Sequence, residues 1–118
     1  MYMETLILNS SARELREVAE GKKRIVTREI RPGNARRFVE LNGEEECVGI
    51  IKYEKILLQN ERMNASILAA IQKIMLMEIE DEKGQLVYYE QNGKRYQAVD
   101  IDFHLGAILD ISGLAPNV

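Results

Sequence analysis

Apolar and polar residues change their spacing several times along this chain, and each change marks a short element. TLIL at residues 5–8 is a brief apolar run that suits a buried strand. Ser11 stands three residues before Glu14, the capping-box spacing, and Ala12, Leu15, Val18 and Ala19 follow at helical intervals. Gly21 is placed to end that helix in a left-handed conformation. Residues 24–31 then alternate, with Ile25, Thr27, Glu29 and Arg31 on one parity and Arg24, Val26, Arg28 and Ile30 on the other, which predicts a strand. Pro32-Gly33-Asn34 stops it.

The next stretch is less regular. ARRFVEL at 35–41 fits a short helix, or a strand paired through the Asn42-Gly43 turn; the helix is the expectation. Residues 48–58 are expected as one strand bent near Gly49, and MNASILAAI at 63–71, with adjacent alanines, as a short helix. KIMLMEIE at 73–80 alternates again. Residues 86–90 and 94–101 flank Asn92-Gly93, the clearest hairpin signal, and 105–111 supplies a last strand before a Gly/Pro-containing tail. Six or seven strands with two or three short helices predict a single α+β domain over residues 1–118. Strands clustered late in hairpins favour a small, curled, mixed or antiparallel barrel over a βαβ repeat.

Composition narrows the class. With 118 residues, 46% hydrophobic and 30% charged, the chain is expected to be one globular domain. No apolar run approaches the roughly 20 residues that cross a bilayer, and MYMETLILNSS lacks a cationic leader, so a cytoplasmic protein without a membrane partner is expected. One cysteine and one histidine give no disulfide and no ordinary zinc set, and no cofactor or metal is expected.

Charge is distributed unevenly. Residues 21–37 carry seven cations (Lys22, Lys23, Arg24, Arg28, Arg31, Arg36 and Arg37) against one anion, Glu29, in a chain whose net charge is −3. Such a segment can attract a phosphate-bearing partner while the rest repels it. Neither parity of the 24–31 strand is free of charged residues, so whichever face turns inward carries an arginine that needs a polar cleft or a carboxylate. Helix C-termini attract cations on their own account, and Arg31, Arg36 and Arg37 also have the acids at 44–46 as candidate partners.

Gly21, Lys23 and Arg28 fall at the spacings of a glycine, a lysine two residues on and an arginine five beyond that, following a helix and leading into a strand. This resembles the signature of the ASCH domains, relatives of the PUA-like RNA-binding barrels, although the glutamate of that motif is replaced by Val26. VGIIKYEKILLQN resembles a Tyr- and Ile-bearing strand of such domains, and DFHLGAILDI their closing strand. The resemblance implies a PUA-like barrel that binds RNA, a nucleotide or a modified nucleoside in a cleft between the first helix and the basic strand. Lys22, Lys23, Arg24 and Arg28 would then meet phosphate, with Arg31, Arg36 and Arg37 extending the rail and Tyr53, Tyr88 and Tyr96 contacting bases.

Some ASCH relatives deacetylate acetylcytidine with a lysine, a threonine three residues later and a distant glutamate. Here Val26 stands three after Lys23, and Thr27 is one residue out of register, which weakens an acetylcytidine-type amidohydrolase as an alternative function without removing it. The alternative from another class is a protein-interaction module or homodimer in which the basic segment meets an acidic surface. His104, beside Asp102 and Phe103, reads as a half-buried histidine more readily than as a general base. Cys47 follows three acids and is not expected to be a reactive thiolate. Met63, Met75 and Met77 suit core packing, and Tyr88 and Tyr89, being adjacent in a strand, face opposite ways.

Overall fold

The computed structural model describes residues 5–44 and 46–114 as a mixed α+β chain made mostly of strands. In chain order these are β1 (Thr5–Asn9), α1 (Ala12–Ala19), β2 (Ile25–Ile30), α2 (Ala35–Phe38), β3 (Val39–Leu41), β4 (Cys47–Ile50), β5 (Lys55–Asn60), β6 (Ala65–Glu78), β7 (Tyr88–Gln91), β8 (Lys94–Gln97) and β9 (Val99–Ser112). Five strands form a sheet in the order β1-β5-β6-β9-β2, and β3-β4 and β7-β8 form two-stranded ribbons. No closed barrel is found among the described residues. The chain divides into two compact units, and the long strands β6 and β9 contribute to both.

The first unit holds residues 1–26, 52–73 and 103–118, of which 5–26, 52–73 and 103–114 are described. Parallel pairing sets Leu6 beside Ile56 and Leu8 beside Leu58. Antiparallel pairing then sets Ile56 beside Ala69 and Leu58 beside Ile67. These alternate residues are all buried, as the period-two rule requires of a strand with one core face. Helix α1 lies against β5 and buries Leu15 and Val18. Its N-cap is Ser11, whose hydroxyl accepts from the Glu14 N–H at 3.0 Å, and Gly21 ends the turn at φ +77°.

β6 corrects the expected helix at 63–71. Its alanines do not start a helix because Ala65, Ile67 and Ala69 alternate with half-buried Ser66, Leu68 and Ala70 against β5. Small residues on the core face serve a strand here, and ladder pairing overrides a weak helical propensity. Asn64, at φ 49°, closes the turn from Glu61.

The second unit holds residues 27–51 and 74–102. β2 ends where Asn34 clamps the turn: its Oδ1 accepts from the Arg31 N–H at 2.8 Å and its Nδ2 donates to the Glu29 carbonyl at 3.1 Å. The ambiguous 35–41 stretch splits, four residues becoming helix and the next three pairing with β4 across the Asn42-Gly43 turn. Residues 48–58 are not one bent strand; β4 and β5 pair with different partners. Asn92 and Gly93, at φ 54° and 77°, form the expected hairpin between β7 and β8. β9 begins at Val99, directly after that hairpin, and continues to Ser112 without the interruption expected between two strands. Residues 115–118 of the tail lie outside the described residues.

Candidate functional site

Most of the cations singled out by the sequence have local partners. The Lys22 ammonium sits 2.8 Å from Glu20, which raises its pKa through a side-chain hydrogen bond and the adjacent charge. Lys23 Nζ lies 2.9 Å from Glu14 Oε2, while Ser10 Oγ donates to Glu14 Oε1 at 2.6 Å. Ser10 and Glu14 are both buried, so Lys23 neutralises an interior carboxylate. Arg28 donates to the Thr27 carbonyl at 2.9 Å, and Arg31 pairs with Glu29 at 2.7 Å. Arg37 lies over the Phe38 ring at 5.8 Å. Arg24 and Arg36 are exposed, and among the described residues neither forms an ion pair. Of the acids considered as partners for the rail, Glu45 lies outside the described residues.

Two of the seven cations, Arg31 and Arg36, line a recess of about 260 Å³ in the second unit. Its lining also includes Pro32 and Ala35, Val39, Leu41 and Cys47, and Tyr89, Tyr96 and Gln97 of the β7-β8 ribbon. Tyr89 and Tyr96 are directly opposed in the ladder, and their rings stack with centroids 5.6 Å apart and an interplanar angle of 21°. The Arg31 guanidinium sits 3.8 Å over the Tyr89 ring. Backbone bonds from Ile79 to the Ala98 carbonyl and from Ala98 to the Val87 carbonyl hold the ribbon to its base. The recess is thus lined mostly by apolar residues, together with two arginines and two tyrosines.

The tyrosine expectation changes accordingly. Tyr53 is 5% exposed and belongs to the core of the first unit, so its ring is not offered to a ligand. Tyr88 is exposed on the ribbon's other face, with Arg95 stacked over it at 4.2 Å. Tyr89 takes the place expected of Tyr88. Strand alternation had separated the two, but the inward side could be known only once β7 had a register.

The remaining candidates have local roles. Thr27 Oγ1 donates to Asp102 Oδ1 at 2.7 Å. Asp100 has its pKa raised, first by desolvation and then by the charges of Glu29 and Asp102. His104 is half-buried on β9, and exposed Cys47 lies 3.6 Å from the Gly49 carbonyl. Met75 is half-buried and Met77 is exposed, so Met77 does not join the core expected of it. No group of three or more potential metal ligands, and no helix long and apolar enough to cross a membrane, occurs among the described residues. Comparison of the chain with protein-family models, characterised proteins and solved structures returns no match.

Proposed function

We propose that this chain is an RNA- or nucleotide-binding domain of the ASCH type, related to the PUA-like barrels and acting in the cytoplasm, and that it binds through the recess of the second unit. One observation carries the reading. Arg31 and Arg36, from the basic segment, share an apolar hollow with Tyr89 and Tyr96 from a ribbon far along the chain. A base has two apolar faces and is attached to an anion; aromatic rings and aliphatic walls suit the first, and a free guanidinium suits the second. At about 260 Å³ the hollow lies just below the range of pockets that hold drug-sized molecules, roughly 300–1,000 Å³, so it accommodates one base rather than several. Arg36 is the phosphate contact, being unpaired among the described residues, and Arg31 braces the Tyr89 ring.

Fluorescence anisotropy of a labelled single-stranded RNA tests the assignment. Arg36→Ala and Tyr96→Ala are each expected to weaken binding by about tenfold, the lower end of what one stacked base or one charged contact contributes. Affinity unchanged in both variants rejects the site. A wild-type chain that leaves the RNA free but forms a salt-sensitive dimer favours the interaction-module alternative.

A further inference from the structure

Among the described residues, the last part of β9 has a neighbouring strand on one side only. Toward β6 it is covered: a Cβ on Gly106 would lie 3.6 Å from that of Ala70, and one on Gly113 would meet the Asn64 carbonyl. Toward β2 the neighbour runs out. Leu105 N–H donates to the Arg24 carbonyl at 2.8 Å, and Thr27 meets Asp102, so β2 advances as β9 numbering falls. Before Arg24 the chain turns away, with the N–H groups of Lys22 and Lys23 both donated to the Glu17 carbonyl of α1. Residues 106–112 therefore carry no strand on that side among the described residues.

Parity decides what the open edge displays. In an antiparallel ladder a residue sends its N–H and C=O to the same side, and alternate residues share that side. Leu105 faces β2, so Ala107, Leu109 and Ile111 direct their backbone groups at the open side. Their side chains continue the face of buried Phe103 and Leu105, yet Leu109 and Ile111 are 49% and 45% exposed. Ile108, on the opposite face, is also exposed. The segment contains no Lys, Arg or Pro, the residues that commonly protect an edge, and only Asp110 is charged.

We propose that this edge pairs antiparallel with the same edge of a second copy, Leu109 opposite Leu109. The open window selects that register. It is bounded at one end by the Leu105–Arg24 bond and at the other by Gly113, whose φ of +76° takes the chain out of the strand. Its centre is Leu109, an outward-directing residue of the kind a hydrogen-bonded pair needs. Pairing about Leu109 fills the window end to end and sets Asp110 opposite Ile108 of the second copy, so no like charges meet. Leu109 and Ile111 of both copies then share one apolar face. The contact is small and carried by main-chain bonds, so the dimer depends on concentration, with Kd on the order of micromolar.

Sedimentation equilibrium across micromolar concentrations tests this, and the wild-type chain is expected to move from monomer to dimer mass. Leu109→Pro removes an outward N–H and leaves the β6 ladder intact; it should stay monomeric with unchanged far-UV circular dichroism. Cysteine pairs keep the test sound if that variant fails to fold. In a Cys47→Ser background, Leu109→Cys is expected to form an intermolecular disulfide on oxidation, because hydrogen-bonded partners have Cα atoms about 5.5 Å apart, and Ile108→Cys is not. A chain that stays monomeric, cross-links equally at both positions, or pairs this edge only with a strand from another protein overturns the proposal. None of these results bears on RNA binding by the second unit.

Discussion

At the scale of single residues, Lys23 shows how position changes the meaning of a charge. In a list of cations it belongs to a phosphate rail, whereas in the fold it answers the carboxylate of Glu14, which also takes the Ser10 hydroxyl. Lys23→Met should remove an ion-pair partner from a nearly buried carboxylate and lower stability by about 1–2 kcal/mol in urea denaturation; the figure is below that of a fully buried pair because Lys23 is partly exposed. Asp100 acts in the opposite sense. Its folded pKa is raised by desolvation and by two neighbouring acids, so between the unfolded and folded values the native state holds the extra proton. Stability from this group is present at low pH and falls as pH rises through that window. Asp100→Asn should therefore stabilise the protein at pH 7, with a gain that shrinks toward pH 3, measured as midpoint shifts in denaturant.

At the scale of elements, what was legible was local. The Ser11 cap, the Gly21 stop, the alternation of β2 and the Asn92-Gly93 turn each depend on residues a few positions apart, and each forms. The misread helix at 63–71 depends on β5, which the residues themselves do not contain. Glycines separate the two kinds of constraint. Gly21 and Gly113 have nearly the same positive φ, but a Cβ on Gly21 meets nothing within 4 Å, whereas one on Gly113 runs into the Asn64 carbonyl. Gly21→Ala should cost about 1 kcal/mol, the usual strain of an L-residue in that region. Gly113→Ala should cost clearly more, because the obstructing atom is backbone. Thermal melts of the two variants side by side check the order.

At the scale of the whole molecule, the relevant quantity is how many cations a nucleic acid can reach. If all seven cations of residues 21–37 met phosphate, affinity for single-stranded RNA would fall with salt at a log–log slope of about −5. If only Arg36 does so, the slope is about −0.7. The shallow slope is the expected result, since Lys22, Lys23 and Arg31 already have carboxylate partners and the chain carries net charge −3. Titrations at several salt concentrations measure it directly, and a slope near −5 would restore the extended rail.

The residues alone determined that this is an α+β chain with a capped opening helix, an alternating basic strand and a late hairpin, because caps, turns and period-two patterns are written in near neighbours. They also determined that cations gather in residues 21–37. Only the tertiary structure decided which of those cations stay open and which tyrosine faces the recess. Glu14 reaches Lys23 across the turn that ends α1, and Arg31 meets Tyr89 through two distant strands. Such contacts follow from strand register and from which face is buried, and a one-residue change in either turns every side chain the other way.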